Sequence, residues 1–417
     1  MTTMRTHTPV PADRNRLTGV ILLVLALLSA VAPLAIDLYL PAFPDLADEF
    51  AVSATQVQLT LTAFLAGLTL GQLVFGPLSD RYGRRGPLII GATLCVAASV
   101  LAVFAPGSAV LVAARFLQGL GGAAGMVIGR AIISDLTAGD GAGRAAARAF
   151  SLMMIVGGVA PVVGPVVGGA LAEPIGWRGI LGVVLSLAVI MLVCILVVLR
   201  ESNPPQRRAE LSAQRAAQGA WYKSFSSRQF VCYTMAFGFG FASMMAYISA
   251  SPFVYQDMMG LNAAQYGLAF GFNALALMGV SAVSARLVRR IDAARLLALG
   301  VGIVLVASVV LLLLAVCGAP ALTLAVPLFF VVSAQGLILG NATGLALTSV
   351  PQAAGGASAI LGALQFGLAA LVSPLVSMGG EGTAVPLGIV MVCCATVATT
   401  AMVVCVSRFP LRASADS

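Results

Sequence analysis

The sequence is short of what soluble catalysts rely on. It holds one histidine, His7, and one lysine, Lys223, and only 9% of its 417 residues are charged. His7 stands in a polar tail ahead of the first apolar run, which excludes histidine-dependent hydrolysis and histidine metal ligation inside the apolar segments. A phosphate loop needs a Gly-Lys pair, and Lys223 follows Tyr222, so ATP-driven pumping by this chain is excluded too. Cysteine is sparse. Cys95, Cys194, Cys232, Cys317, Cys393, Cys394 and Cys405 sit in apolar stretches without ligand spacing. They read as small packing residues, with neither a disulfide framework nor a metal site. The expectation is a chain that is not an enzyme and binds no cofactor.

Hydrocarbon is what abounds: 60% of the residues are hydrophobic, and the mean hydropathy is +1.02. No soluble domain of this length tolerates that balance, so the solvent for most of the chain is lipid. Apolar runs recur, each long enough as a helix to cross a hydrocarbon core about 30 Å thick. They lack strict alternation, which points to helices rather than strands. Twelve spans are expected, at 17–43, 55–75, 87–105, 108–130, 147–171, 179–199, 229–251, 262–285, 294–317, 321–346, 354–378 and 383–406. The first run outlasts a signal-peptide core and continues into Asp37 and Pro41, so it reads as a retained span.

The net charge of +8 marks membrane sidedness rather than nucleic-acid binding. With the amino terminus in the cytoplasm, basic residues fall in the tail (Arg5, Arg14, Arg16) and in inner loops (Arg81, Arg84, Arg85; Arg144, Arg148; Arg200, Arg207, Arg208, Arg215, Lys223, Arg228). Arg286, Arg289, Arg290, Arg295, Arg408 and Arg412 continue the pattern, and Arg130 sits at an inner helix end. Only Arg115 and Arg178 fall elsewhere, so both termini are expected in the cytoplasm. The outer loops are short and mildly acidic, with Asp45, Asp48, Glu49, Glu173, Asp257 and Glu381.

The longest polar interval divides the spans six and six. The expected organisation is a tail at 1–16, a six-helix bundle at 17–199, a cytoplasmic linker at 200–228, a second bundle at 229–406 and a tail at 407–417. Ser79, Arg81, Arg84 and Arg85 match Ser284, Arg286, Arg289 and Arg290, with Ala285 where the first copy has Asp80. Duplication explains the match, and so does chance among basic inner loops. Paired halves around a central site are a common transporter plan.

Ionisable side chains in lipid are expensive, at about 2.5–3.5 kcal/mol for a mid-span aspartate. Asp37 near the outer end of span one and Arg115 near the outer start of span four therefore stand out, and they lie at similar depth. Burial favours the neutral acid at Asp37 and a nearby guanidinium favours the carboxylate, the competition a proton carrier needs. The alternatives are a static Asp37–Arg115 pair or a cap on span one. Pro33, Asp37 and Pro41 recur every four residues and are expected on one bent, polar-lined face. Gln118 lies one turn from Arg115 and is expected to face the same cavity, beside Gly119, Gly121 and Gly122.

The segment GPLSDRYGRR, 76–85, is the most specific string. Gly76, Pro77 and Gly83 are expected to force a compact turn, with Asp80 pairing Arg84 or Arg85 or facing a helix amino end. It reads as a conformational latch made of Gly76, Asp80, Arg81, Gly83, Arg84 and Arg85, against the plainer reading of a positive inner loop. GGVAPVVGPVVGG, 157–169, puts Gly157, Pro161, Gly164, Pro165, Gly168 and Gly169 in one span, as a hinge or gate, or as pure close packing. In the second half, Tyr247, Asn273, Gln335, Asn341 and Gln365 are candidates for a substrate cavity or for bonds to neighbouring helices.

These strings together resemble the major facilitator superfamily, in particular the drug:proton antiporters of its bicyclomycin/chloramphenicol resistance branch. IDLYLPAFP at 36–44 is similar to that branch's first-helix signature, and GQLVFGPLSDRYGRR at 71–85 resembles the superfamily's loop motif. RFLQG at 115–119 resembles the helix-four motif, GPVVGG at 164–169 the antiporter motif of helix five, and GWRGI at 176–180 fits the branch. The matches cover spans one to six. The resemblance implies twelve helices in two pseudo-symmetric six-helix bundles. It implies coupling through Asp37, Arg115 and Gln118, an access latch at Asp80 and Arg84, and a leak-limiting interface at Gly164, Pro165, Gly168 and Gly169. Some related exporters carry a second acid deeper in helix one, where this chain has ALLSAVA; that departure argues against two-proton coupling and dicationic substrates.

The expected function is a monomeric, proton-driven secondary antiporter of a bacterial inner membrane. Its partners would be protons, the lipid bilayer and a small, mostly apolar drug-like substrate, neutral or monocationic. Two rivals stand beside it: a proton symporter or uniporter for a metabolite, and a membrane sensor that keeps the fold without transport.

Overall fold

The structure is a computed structural model that describes residues 19–136, 142–206, 208, 225–350, 354–378 and 382–406, with only the backbone path given for 142–157, 354, 355, 377 and 406. Arg5, His7, Arg14, Arg16, Arg207, Arg215, Lys223, Glu381, Arg408 and Arg412 lie outside the described residues, with both tails and most of the linker. The side chains of Arg144 and Arg148 do too.

The described residues form helices and no strand. In order they are α1 (Gly19–Asp37), a 3-10 turn (Leu40–Ala42), α2 (Phe43–Phe50), α3 (Ala54–Tyr82), α4 (Arg85–Val103), α5 (Ser108–Leu136) and α6 (Ala142–Val198). The second half has α7 (Arg228–Pro252) with a π-helical turn (Phe253–Met258), α8 (Ala263–Leu287), α9 (Ala293–Val316), α10 (Ala325–Ser349), α11 (Ala354–Val372) with a 3-10 turn (Ser373–Ser377), and α12 (Val385–Val406). Among the described residues, eleven stretches are long and apolar enough to cross a membrane.

Where the sequence predicts spans five and six, the structure has the single 57-residue α6. It is interrupted at Gly176, whose φ of 63° and ψ of 179° are not helical. Only glycine adopts that conformation without strain. The arms on either side, 142–175 and 177–198, run in opposite directions. Trp177 hydrogen-bonds Glu49 in the last turn of α2, whereas Leu196 O accepts from Arg85 at the start of α4, 3.1 Å away. Glu49 and Arg85 flank opposite ends of α3. The end carrying Arg85 and residue 201 is termed the linker end, and the other the distal end.

The first predicted span is also modified. α1 stops at Asp37, and Pro41 belongs to the 3-10 turn that leads into the short amphipathic α2. Pro33, Asp37 and Pro41 therefore do not share one helix face. Proline 41 has no N–H to continue the helix, so the chain turns a corner directly after the acid.

Small residues set the helix spacing, as expected where both lipid and protein are apolar. Any side chain on Gly67 would strike the Phe116 carbonyl, and one on Gly119 the Phe64 carbonyl, so α3 and α5 touch backbone to backbone. The halves also begin their second long helix alike. Ser53 and Gln56 form a capping box on α3, and Asn262 and Gln265 form one on α8.

The apolar core is unequal at the two ends. One buried cluster joins the distal part of the first half to the second half, through Phe43, Phe64, Phe253 and Tyr266 among others. A second cluster, including Leu25, Leu88, Ile128 and Ile195, is confined to the first half toward the linker end.

Candidate functional site

Asp37 closes α1 and is 4% exposed. It owes its place to the glycines of α6. A Cβ on Gly164 would lie 2.6 Å from the Asp37 Cβ and 3.3 Å from the Leu38 nitrogen, and one on Gly168 would overlap the Leu38 carbonyl. On its other faces the same turn of α6 receives α8. A Cβ on Gly169 would overlap the Ala263 carbonyl, and one on Gly267 the Pro165 carbonyl. The segment 164–169 is thus wedged between the acid of α1 and the start of α8, where the halves meet. Pro161 lies one turn nearer the linker end of the same arm, and Gly157 lies within that helix.

Arg115 of α5 is fully buried. It stands at the depth of Asp37, as the spacing predicts, but the two form no ion pair, so the static pair is not what the structure contains. Arg115 instead donates to Ala35 O at 2.9 Å and to Gln118 Oε1 at 2.6 Å. Its guanidinium lies 4.4 Å from the Phe64 ring centroid and 4.8 Å from that of Tyr39. The cation is held by a carbonyl, an amide and two aromatic faces, leaving the carboxylate without a fixed counter-ion. Gln118 passes the chain on, donating to Ser99 Oγ of α4 at 2.7 Å. It is 1% exposed and lies in the seam between α4 and α5.

The loop 76–85 is built differently from its expectation. Gly76 and Pro77 lie within α3, and only Gly83, at φ 96°, makes the turn. Arg84 is its buried centre. Nη1 donates to Asp80 Oδ1 at 2.6 Å and to Ser79 Oγ at 2.9 Å, and Nε donates to Asp135 Oδ2 of α5 at 2.8 Å. Glu201 accepts from the backbone nitrogens of Arg84 (2.8 Å) and Arg85 (3.1 Å). Ser202 donates to Asp135 at 3.1 Å, and Arg208 donates to Arg81 O at 2.9 Å. The loop is therefore clamped to α5 and to the chain leaving α6. Of its partners, Asp135 and Glu201 carry one sequence signal, isolated acids at the basic inner ends of spans, and Ser202 carries none.

At the distal end, Glu49 takes Trp177 Nε1 and pairs with Arg178, whose guanidinium lies 4.1 Å from the Trp177 ring centroid. This clasp ties α2 to the second arm of α6.

The family description "Major Facilitator Superfamily" matches residues 25–374. The chain belongs to the Major Facilitator Superfamily. It is 37% identical over 399 residues to an uncharacterized MFS-type transporter, YdgK, of Bacillus subtilis, covering 95% of this chain and 96% of that one. It is 27% identical over 396 residues to a bicyclomycin resistance protein homolog of Haemophilus influenzae, covering 95% and 98%. A solved D-xylose-proton symporter superposes with a TM-score of 0.74 at 18% identity, covering 91% of this chain and 96% of that one, which shows the shared fold. The protein is a multi-pass membrane transporter and not an enzyme.

The second half of this superfamily member divides its expected cavity residues. Asn273 of α8 donates to Tyr247 OH at 2.9 Å and to Tyr255 OH at 3.1 Å. Tyr255 lies in the π-helical turn, a distortion common at functional sites. Asn341 is spent on Ser284 Oγ and Leu337 O. Gln365 is half-buried on α11. Gln335 is fully buried, and neither end of its amide has a hydrogen-bond partner. Tyr266, fully buried beside Tyr255, and Ser251, hydrogen-bonded to it, were not singled out in the sequence, where they are indistinguishable from packing residues.

Proposed function

We propose that this transporter is a proton-coupled antiporter exporting small, largely apolar drug-like compounds of the phenicol or bicyclomycin type from a bacterial cytoplasm by alternating access. Asp37 carries the reading. Among the described residues it is the one acid inside the spans away from both ends, it has no ion partner, and it packs on Gly164 where the halves meet. A carboxyl so placed exchanges its proton as the interface opens and closes, without first breaking a salt bridge. The bicyclomycin resistance homolog supports the substrate class and the direction of transport.

In this reading the two arms of α6 are separate spans, giving twelve in two six-helix bundles, 17–199 and 229–406. The linker 200–228 and both tails face the cytoplasm, the linker end is cytoplasmic, and the membrane is the inner one. Arg115 and Gln118 hold the α1–α5 seam that sets the position of Asp37. Gly76, Asp80, Arg81, Gly83, Arg84 and Arg85 form the latch, now with Asp135 and Glu201. Tyr247, Asn273, Gln335 and Gln365 stand on the substrate side of the second half. The protein works as a monomer, with the proton gradient in place of a cofactor and with no nucleic-acid partner.

The test is expression in an efflux-deficient bacterium on a panel of phenicols, bicyclomycin, tetracyclines and cationic dyes. Resistance to neutral or monocationic members is expected with the native chain and is lost in Asp37→Asn at equal protein level. An Asp37→Asn variant that protects as well as the native chain refutes the coupling role.

A further inference from the structure

Where the halves meet at the distal end, a small cavity lies between them. Ala54 and Gln58 of α3 line it from the first half. Ala250 of α7, Phe253 of the π-helical turn, and Thr383 and Ala384 ahead of α12 line it from the second. Its volume is about 20 Å³. One water needs roughly 10–15 Å³, and a drug-like molecule far more than the cavity holds.

A cavity bordered by hydrocarbon alone stays dry. This one has polar groups from both halves. Gln58 is 1% exposed; its Nε2 donates to Ser249 O at 2.9 Å, and its Oε1 has no partner. A carbonyl can only accept, so the amide cannot be turned the other way round, and the end left over is an acceptor. On the second half, Thr383 Oγ1 accepts from Val385 N at 3.2 Å and keeps its own proton to give. An acceptor on one half and a donor on the other thus border the same space, with no bond between them.

We propose that this cavity is a binding site for one water molecule that joins the halves, donating to Gln58 Oε1 and accepting from Thr383 Oγ1. The chemistry of the lining selects water. No acid is among the lining residues, so a metal cation finds too little charge to replace its hydration shell. The volume excludes larger polar ligands. Thr383 is half-buried, which keeps the site in exchange with solvent at the distal face. The water is a polar stitch in a seal that is otherwise apolar, and it satisfies the end of the Gln58 amide that Ser249 does not reach. Parting of the distal end separates Gln58 from Thr383, so the water is released and taken up again in each cycle. That last step rests on alternating access; the site itself does not.

The experiment is radiolytic hydroxyl-radical footprinting of the purified full-length chain in lipid nanodiscs, in ¹⁸O-labelled water, read by mass spectrometry at phenylalanine. Radicals form from the bound water itself, so a buried ring beside it is oxidised and a ring packed in hydrocarbon is not. Phe253 is 5% exposed and lines the cavity. Phe43 is fully buried, packs on Phe253 from the other half at 6.1 Å between centroids, and is not part of the lining. Opening of the seal wets both rings, whereas the bound water touches one. Phe253 is expected to be oxidised well above Phe43, and to fall to the Phe43 level in Ala384→Val, whose added methyls take the space of the water and leave Gln58 and Thr383 in place. Gln58→Met removes the acceptor at similar volume and is expected to do the same; it carries the test should Ala384→Val not fold. Equal labelling of the two rings in the native chain, or labelling of Phe253 that persists in both variants, overturns the site and leaves the role of Asp37 untouched.

Discussion

Arg115 shows how little of a buried charge's environment is fixed by depth alone. Its level relative to Asp37 was legible, because 1.5 Å per residue along two antiparallel helices fixes height. Its partners were not. Whether a guanidinium reaches a carboxylate depends on rotation about the helix axis, and here Tyr39, Phe64, Gln118 and Ala35 O satisfy it first. Lysine keeps the charge but lacks the planar fork, so Arg115→Lys loses the stacking and one of two directed bonds. A loss of about 1–3 kcal/mol is expected from those contacts. Arg115→Ala strands Gln118 and the Ala35 carbonyl as well and costs more. Thermal unfolding in detergent is expected to rank the native chain above Arg115→Lys and Arg115→Lys above Arg115→Ala; equal melting temperatures contradict the packing described.

At the scale of elements, the strings 76–85 and 157–169 were legible as special because they concentrate glycine, proline and charge within apolar sequence. Which glycine touches what was not, since that is set by partners far along the chain. Gly164 and Gly168 admit α1, while Gly169 and Gly267 admit the contact between α6 and α8. Gly168→Ala and Gly267→Ala place a methyl on a carbonyl and are expected to destabilise by about 1–3 kcal/mol through forced backbone shifts. Gly158→Ala and Gly182→Ala, where nothing lies within 4 Å of the added carbon, are expected to melt with the native chain. At the linker end, Glu201 was legible as an isolated acid beside basic residues, but its role was not, because which backbone nitrogens a carboxylate caps depends on a loop over a hundred residues away. Glu201→Ala frees the nitrogens of Arg84, Arg85 and Asn203. Faster hydrogen exchange across 83–88 is expected, and an unchanged exchange pattern speaks against the clamp.

For the molecule as a whole, a chain of long apolar helices was readable from length and hydropathy; among the described residues the structure has eleven such stretches where twelve were expected, with the single α6, interrupted at Gly176, in place of spans five and six. The state of the molecule was not readable, because every sequence signal for the fold is shared by all positions of the halves. Here the distal ends are closed, with Gln58 donating to Ser249 O at 2.9 Å, Gln256 to Pro41 O at 3.1 Å, and Phe43 against Phe253 at 6.1 Å between ring centroids. In a chain freed of its native cysteines, Phe43→Cys with Phe253→Cys is expected to cross-link with a short bifunctional maleimide. Cross-linking should stop turnover, and reducible reagents should restore it on cleavage. Full turnover in the cross-linked protein contradicts closure as part of the cycle.

That distal seal is mostly hydrocarbon, one apolar cluster running unbroken from half to half. Parting it wets buried apolar surface, and hydration of such surface raises heat capacity by about 0.45 cal/K/mol for each Å². The activation enthalpy for opening then grows with temperature. Where opening limits the rate, an Arrhenius plot of turnover is expected to steepen toward high temperature, the thermal signature of a greasy gate rather than a salt-bridged one.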